Sequence, residues 1–316
     1  MVFAGYVFRN LRVTRKQKDI IEGQKKLVEK QKQEVEQQKH LVEETQREII
    51  SSITYAKRLQ NAILPPVELI KEKLPESFVL YHPKDIVAGD FFWMHMVTPS
   101  RLENFTRGEI IFIAAADSTG HGVPGAMVSV VCSNALNRAV NEFNLKETGK
   151  ILDKTRELVL ETFAKSDEEI KDGMDISLLG IFLPDPMGRA DDIMIQWSGA
   201  NNPLWYFDST EKFIEIKADK QPIGKTEKPK DFTTHKINFK KGEINKHSFY
   251  LMTDGFADQF GGPKGKKYKY KQLEEKIISI NKLPAIEQEK ILKNLFYEWQ
   301  GNLEQVDDVT IIGIRI

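Results

Sequence analysis

The stretch that decides the fold is residues 109–136, which reads EIIFIAAADSTGHGVPGAMVSVVCSNAL. Its first apolar run predicts a buried strand that ends on Asp117, and the run GAMVSVV predicts a helix. Gly120 and Gly122 allow the connecting turn backbone conformations that are closed to other residues, and the helix N-terminus favours negative charge. Glycine-containing turns from strand to helix are common, so this stretch indicates an ion or phosphate site only together with other motifs.

Three further aspartates stand where apolar strands start or stop: Asp90 before FFW, Asp254 after FYLMT, and Asp307 before DVTIIGIRI. A sheet fixes a carboxylate at a strand end, and that carboxylate faces a rim of the fold. Several of them on one rim would form a site of hard oxygen ligands for Mg²⁺ or Mn²⁺. Two such ions activate a water and stabilise a phosphoryl group in transfer. The pattern therefore indicates metal-dependent phosphate chemistry.

From about residue 67 onward, strand-like and helical stretches follow one another. The segments that read as strands are VLYHPKDIVAGDFFW, EIIFIAAAD, ISLLGIFLP, IMIQWSG, PLWYFD, KFIEI, HSFYLMTD and VTIIGIRI. The segments that read as helices are 123–143, about 149–165, 270–279 and 285–300. Many consecutive strands with short turns, and helices that come in pairs, predict antiparallel sheets with helices packed outside.

A second pattern covers residues 14–50, which are rich in Lys, Gln and Glu. Apolar residues recur every seventh position, at Ile21, Val28, Val35, Val42 and Ile49. This period predicts a coiled coil, and β-branched residues at position a favour a parallel dimer. The d positions carry Gln24, Gln31, Gln38 and Thr45, which weaken the seam. A solvated single helix is the alternative, and a weak coil is a plausible switch.

The segment SSITYAKRLQNAILPP continues the helix with one apolar face and ends at two prolines. The chain thus divides into a basic N-terminus and coiled-coil helix at 1–50, a linker or switch helix at 51–66, and a globular domain at 67–316. A signal from the coil would pass through the linker helix.

Composition limits the class of protein. The chain has 46 basic and 46 acidic residues, which argues against a nucleic-acid binder. Its single cysteine, Cys132, lies in an apolar run, so we expect a buried residue in a reducing compartment, the cytoplasm. No run reaches the roughly 20 apolar residues of a membrane span. Apolar residues 1–8 precede a basic cluster, which is typical of the cytoplasmic end of a membrane segment upstream of Met1; a frayed N-terminus is the other reading.

The ordered motifs resemble the PPM-type, metal-dependent protein serine/threonine phosphatases, in the bacterial SpoIIE/RsbU-like branch. The motifs are AKRLQNAILP, AGDFFW, ADSTGHGVPGAMVS, MDISLLGIF, WSGANNPLWYF, QPIG, LMTDGFADQFGG and DDVTIIGIRI, over about residues 55–316. The resemblance implies an α+β fold, an αββα sandwich of two antiparallel sheets flanked by helices, here preceded by a helical coiled coil. It also implies a phosphorylated regulatory protein, such as an anti-sigma-factor antagonist, as the substrate.

The resemblance also implies roles for individual residues. Asp117 would bridge two Mn²⁺ or Mg²⁺ ions, with the carbonyl of Ser118 as a further ligand. Asp90 and Asp254 would hold one ion each or share one, and Asp307 would complete the set. Asp308 would lie behind it, since adjacent residues of a strand point to opposite faces.

Three features keep two readings each, and a fourth, Lys84, has one. Asp175 holds a third ion or is merely a polar residue at a strand start. His121 protonates the departing serine oxygen or only orients its turn. Lys84 is a candidate phosphate contact where many relatives have arginine. The lysine-rich run 261–271 guides an acidic phosphorylated partner or is a solvated loop, and the loop reading is favoured.

The predicted function is therefore a phosphoric monoester hydrolase that acts on phosphoserine or phosphothreonine and is regulated as a dimer through its coil. It is expected in the cytoplasm, with the inner face of the membrane as the alternative location. One rival is a phosphatase-like dimeric adaptor that has lost catalysis, which the intact set of aspartates argues against. The other rival is a two-metal phosphodiesterase. Such sites commonly recruit histidine, and only His121 lies in a motif.

Overall fold

In the computed structural model, the apolar run of residues 110–118 forms a strand that is buried along almost its whole length. The structure describes residues 2–98, 108–165, 172–184, 192–243 and 245–316. The helices are α1 (Val2–Ile63), α2 (Val67–Lys73), α3 (Gly122–Asn141), α4 (Thr148–Phe163), α5 (Gly255–Asp258), α6 (Tyr270–Ile280) and α7 (Ala285–Gln300). The strands are β1 (Ser77–His82), β2 (Phe91–Val97), β3 (Ile110–Ser118), β4 (Met174–Phe182), β5 (Asp192–Ala200), β6 (Leu204–Phe207), β7 (Phe213–Ile216), β8 (His235–Lys240), β9 (Ser248–Met252), β10 (Phe260–Gly261), β11 (Lys266–Lys267) and β12 (Val309–Arg315).

The long strands form two five-stranded sheets, one in the order β1-β12-β9-β6-β7 and the other in the order β2-β3-β4-β5-β8. Every neighbouring pair in both sheets is antiparallel, as the sequence predicts. The strands β10 and β11 form a separate hairpin between α5 and α6.

The two sheets stack face to face and carry helices outside. Alternate residues of β3 serve different layers: Phe112 and Ala114 pack with α3 and α4, while Ile111 and Ile113 pack with residues of the other sheet. A third apolar layer joins the outer face of that other sheet to α6 and α7. Burial on both faces explains why β3 is apolar throughout. The αββα sandwich that the resemblance implies is confirmed.

The segment VLYHPKDIVAGDFFW contains two strands in different sheets, so reading it as one strand is wrong. Strand β1 pairs with β12, and β2 pairs with β3. The loop of residues 83–90 crosses from one sheet to the other. Its backbone N–H groups at Lys84 and Gly89 donate to the side chain of Asp308 instead of to a ladder, which ends the pairing.

The prediction for Cys132 agrees with the structure. The side chain is fully buried in the layer between α3 and β3. Burial raises the pKa of its thiol to about 12, so it packs as a small apolar group.

The chain divides into two compact units, Met1–Tyr55 and Ala56–Ile316. Helix α1 runs without interruption from the first unit into the second. The predicted a-position residues Val28, Val35 and Val42 are each more than 60% exposed on this helix. An apolar stripe of this kind is what a second helix would cover, and the paired coil stays a prediction.

Within the described ranges, none of the helices combines the length and the apolar character needed to cross a bilayer.

Candidate active site

The predicted aspartates come from both sheets and meet at one rim. Asp117 and Asp175 are opposite one another in the ladder between β3 and β4. Asp254 follows β9 by two residues and Asp307 precedes β12 by two, and these strands are neighbours in the other sheet. A cleft of about 300 Å³ is lined by Asp117, Asp175 and Asp307. The two sheets thus deliver acidic side chains to a common opening.

The carboxylates lie in one another's electric field. Burial raises the pKa of Asp117 to about 9, and the other rim aspartates, 90, 254, 307 and 175, add to the rise. Burial and then the charge of Asp307 raise the pKa of Asp254 to about 6, while Lys267 works in the opposite direction. Like charges in a partly dry site favour the neutral acid unless a cation joins them. A bound cation would therefore stabilise the charged form of these carboxylates.

Asp90 is the most deeply buried of these acids, at 2% exposure. Burial raises the pKa of its carboxyl well above the usual value. The hydroxyls of Thr253 and Thr310 both donate to its Oδ2 at 2.7 Å, and these bonds favour the charged form. Since Thr253 comes directly before Asp254, the two threonines tie Asp90 to the strands that carry the other aspartates.

Asp307 and Asp308 face different surroundings, as expected for adjacent residues. Asp307 lines the cleft, whereas Asp308 is buried. The Asp308 carboxylate accepts the backbone N–H groups of Lys84 at 2.7 Å, Gly89 at 2.7 Å and Asp90 at 3.4 Å. It therefore shapes the loop that presents Asp90, and the ligand role of Asp307 stays a prediction.

The turn after β3 is packed too tightly for ordinary side chains. A Cβ at Gly89 would stand 2.2 Å from the carbonyl oxygen of Gly120, and one at Gly125 would stand 2.0 Å from the same atom. The hydroxyl of Ser118 donates to the carbonyl of Gly89 at 2.5 Å and also lies 3.0 Å from that of Gly125. These contacts fix the Asp90 loop against the start of α3.

A residue of helix α1 reaches the same loop. Gln60 is 4% exposed, and its amide donates to the carbonyl of Ala88 at 2.6 Å and lies 3.1 Å from the hydroxyl of Ser129. Its carbonyl oxygen accepts the N–H of Ala88 at 3.1 Å. Both backbone groups of the residue two before Asp90 are thus held by one side chain of the linker helix.

The remaining predicted residues lie at the edges of the site. The amide of Asn201 donates to Asp175 at 2.8 Å. The Nδ1 atom of His121 pairs with Asp85 at 2.9 Å, and the histidine side chain is 55% exposed. Lys84 takes part through its backbone N–H. A phosphate contact by its ammonium stays a prediction.

The donor set fits a divalent ion. In the part of the chain that the structure describes, no three His, Cys, Asp or Glu side chains come close enough together to hold a metal among them. Mg²⁺ does not need such a cluster, because it keeps several waters and binds one or two carboxylates directly. The oxygens of Asp117, Asp254 and Asp307 are hard ligands, and a cation would relieve the repulsion that raises the pKa of Asp117.

Sequence reasoning missed several residues that position the site. Gln60, Thr253, Thr310 and Asn201 hold aspartates or their loop through side-chain hydrogen bonds. A weak signal existed for Thr253, which immediately precedes Asp254. Nothing local distinguishes Gln60 from the many other glutamines of α1, because its partner Ala88 lies 28 residues later.

Comparisons with known proteins agree with this fold. A family model described as Stage II sporulation protein E (SpoIIE) matches residues 107–316. The SiaA-PP2C domain of Pseudomonas aeruginosa is similar with a TM-score of 0.69 and 26% identity, over 86% of this chain and 98% of that chain. No curated protein sequence matches the chain significantly.

Two more distant structures share the fold. The PP2C phosphatase domain of SpoIIE from Bacillus subtilis, with a fragment of its regulatory domain, gives a TM-score of 0.54 at 18% identity, over 76% of this chain and 62% of that one. The RsbU and RsbW domains of Rv1364c from Mycobacterium tuberculosis give 0.52 at 15%, over 77% and 60%. The family match spans both sheets from β3 to β12 and the helices between them. The chain therefore belongs to the SpoIIE family, and it is a PPM-type protein serine/threonine phosphatase.

Proposed function

We propose that this phosphatase removes phosphate from phosphoserine or phosphothreonine on a bacterial regulatory protein, such as an anti-sigma-factor antagonist, with two Mg²⁺ or Mn²⁺ ions. The observation that carries the proposal is the field around Asp117, where four other aspartates help to raise the pKa of its carboxyl. Such a cluster disfavours its own charged state unless divalent cations bind there. A regulatory substrate is suggested by the family and by the related SpoIIE domain, which belongs to a cell fate determinant.

Each residue then has a distinct part. Asp117 and the carbonyl of Ser118 would hold the ions, together with the carboxylates of Asp90, Asp254 and Asp307. When bound, the ions neutralise phosphate charge and acidify the water that attacks phosphorus, so no protein nucleophile is required. Asp175, across the ladder from Asp117, is proposed to hold a third ion.

Two groups are proposed to act on the substrate itself. His121, whose Nδ1 atom pairs with Asp85, is proposed to give a proton to the departing serine oxygen. Lys84, in the loop before Asp90, is proposed to contact a phosphoryl oxygen.

Control of the site is proposed to pass through α1. Gln60 holds both backbone groups of Ala88, and the next two residues are Gly89 and Asp90. A rotation or shift of the helix end would break these bonds or carry the loop with it. Because α1 is one continuous helix from Val2 to Ile63, a change in coil pairing would reach Asp90 along the helix and through the hydrogen bonds of Gln60. The coil is proposed to pair two chains in parallel.

The metal assignment predicts that Asp117→Asn and Asp254→Asn each lower Mn²⁺-dependent hydrolysis of p-nitrophenyl phosphate more than about 100-fold, since residues merely behind metal ligands already cost 10- to 100-fold. Mn²⁺ should also raise the melting temperature of the wild type and leave that of Asp117→Asn unchanged. The control is Asp231→Asn, an exposed aspartate paired with Lys150. Full activity in either site variant would remove that residue from the ligand set.

The acid role of His121 predicts a dependence on the leaving group. A serine alkoxide needs a proton to depart and p-nitrophenolate does not, so His121→Gln should slow hydrolysis of a phosphoserine peptide by about 100-fold and spare p-nitrophenyl phosphate. Steady-state kinetics on both substrates provides the measurement. Asp85→Asn, which removes the hydrogen-bond partner of His121, should also slow hydrolysis of the phosphoserine peptide and spare p-nitrophenyl phosphate, but by a smaller factor. Equal effects on both substrates would reduce His121 to a structural residue of the turn.

The link through Gln60 predicts that Gln60→Leu raises the Mn²⁺ concentration needed for half-maximal activity. The substitution leaves the buried N–H and C=O of Ala88 unpaired, which destabilises the loop by about 1–3 kcal/mol. A metal titration of activity, with thermal unfolding alongside, provides the measurement. Asn61→Leu, at the exposed neighbouring position, is the control. Identical metal titrations for the two variants would contradict the link.

The coil hypothesis predicts that Val28→Gln, Val35→Gln and Val42→Gln together dissolve the dimer and change phosphatase activity by at least about fivefold, the lower end of typical coupling between sites. Light scattering gives the oligomeric state. A matched variant replaces Lys26, His40 and Arg47 by glutamine, on the opposite face of the predicted heptad. Unchanged mass and unchanged activity in the valine variant would end the hypothesis.

A further inference from the structure

A group of lysines stands beside the cleft on the segment of residues 260–271, which we name the lysine hairpin. It contains β10, β11 and the first residues of α6. Its lysines are all exposed: Lys264, Lys266, Lys267, Lys269 and Lys271. Lys267 pairs with Asp258 at 2.7 Å. Five positive charges on one short exposed segment stand out in a chain whose total charges balance.

The lysine hairpin is packed onto the domain and is not a loosely solvated loop. The N–H of Gly262 donates to the carbonyl of Trp299 at 2.7 Å. A Cβ at Gly261 would stand 1.8 Å from that same carbonyl oxygen, so the close approach requires glycine. The ring of Tyr268 is buried edge-on against Phe256 and Trp299, with centroids 5.3 and 5.1 Å away. These contacts give the lysines a fixed base.

The same segment adjoins the active site. The N–H of Lys269 donates to the carbonyl of Ala257 at 2.7 Å, which ties the hairpin to α5, the short helix directly after Asp254. Burial raises the pKa of Tyr270, and the charge of Asp254 is the largest further cause. The ion pair of Lys267 is also made with α5, because Asp258 is the last residue of that helix. The lysine hairpin therefore forms a positively charged wall next to a negatively charged cleft.

The backbone conformation of Lys269 is a second observation that points to a functional role for this segment. Its φ angle is +74°, in the left-handed region that favours glycine. A lysine at this position keeps a strained conformation that glycine would relieve, yet it adds a charge at the start of α6. Strain of this kind is commonly retained at sites that bind or act.

We propose that the lysine hairpin recognises acidic residues of the substrate protein that flank the phosphorylated serine or threonine. The inference rests on the proposed function and deepens it, because it names the kind of sequence that the phosphatase prefers. A phosphorylated segment that enters the cleft would lay its neighbouring residues over this wall. Acidic side chains there find lysines within reach, whereas the rim aspartates would repel them if the wall were absent.

The experiment compares binding of two fluorescent phosphoserine peptides, one with glutamates on both sides of the phosphoserine and one with glutamines. Fluorescence anisotropy is measured on the full chain with Mn²⁺ present, and both peptides carry the non-hydrolysable phosphonate analogue of phosphoserine, so that the ions stay bound and no hydrolysis occurs. Several weak exposed ion pairs together make the acidic peptide bind about tenfold more tightly. The preference should shrink when salt is raised from low to physiological concentration and beyond.

The test variant replaces Lys264, Lys266, Lys269 and Lys271 by glutamine and leaves Lys267 with its partner. A matched variant replaces four exposed lysines outside the hairpin: Lys236, Lys240, Lys246 and Lys290. The ratio of the two affinities should fall to about one in the hairpin variant and stay about tenfold in the matched variant. Because the readout is a ratio within one protein, a general loss of binding does not imitate this result. Thermal unfolding of both variants checks that they fold.

Two outcomes would overturn the inference. One is a wild type that binds both peptides equally, and the other is a preference that survives in the hairpin variant. Vesicles of phosphatidylserine and phosphatidylcholine are tested in parallel, and hairpin-dependent vesicle binding without any peptide preference would assign the lysines to a membrane surface instead. Failure of the proposed function has a separate sign. Wild type that does not hydrolyse p-nitrophenyl phosphate with Mn²⁺ rejects that function, while the binding ratio still decides the role of the hairpin.

Discussion

The gathering of several partly buried carboxylates at one rim is the constraint on which this site depends. Asp117 and Asp175 come from one sheet, while Asp254 and Asp307 come from the other. Packing between the two sheets holds these side chains together, so that burial raises the pKa of Asp117 and the neighbouring carboxylates raise it further. Only a well-packed core keeps such groups together, since exposed acids on a flexible surface would move apart.

The loop of residues 83–90 is held by side chains from two distant parts of the chain. Its backbone forms no ladder, and its N–H groups are held by the side chains of Asp308 and Gln60. One of these partners lies at the start of the last strand, and the other lies on the linker helix. A single loop thus connects Asp90 both to the start of the last strand and to helix α1. This arrangement is the structural basis of the proposal that α1 acts on Asp90 from a distance.

Acidic and basic side chains occupy different parts of the surface around the cleft. Aspartates occupy the rim itself, which is the proposed place of the cations. The lysine hairpin stands beside them on a base of aromatic contacts with Trp299. The ion pair between Lys267 and Asp258 joins the two zones. Under the proposals above, the aspartates serve the chemistry and the lysines serve recognition of the protein substrate.

Local sequence patterns predicted much of the fold, and the motifs also indicated the aspartates of the site. Apolar runs of strand length, paired helices and short turns predicted antiparallel sheets with helices outside, and a seven-residue period predicted the long first helix. The sequence did not reveal that VLYHPKDIVAGDFFW crosses between sheets, because the carboxylate that ends the pairing belongs to Asp308, 224 residues after Lys84. The threonines that hold Asp90 and the glutamine that holds Ala88 were hidden for the same reason. The sequence by itself determined which residues could carry charge to a strand end. Only the tertiary structure decided which of them share a field and which backbone groups restrain them, since both depend on distances between segments far apart in the chain.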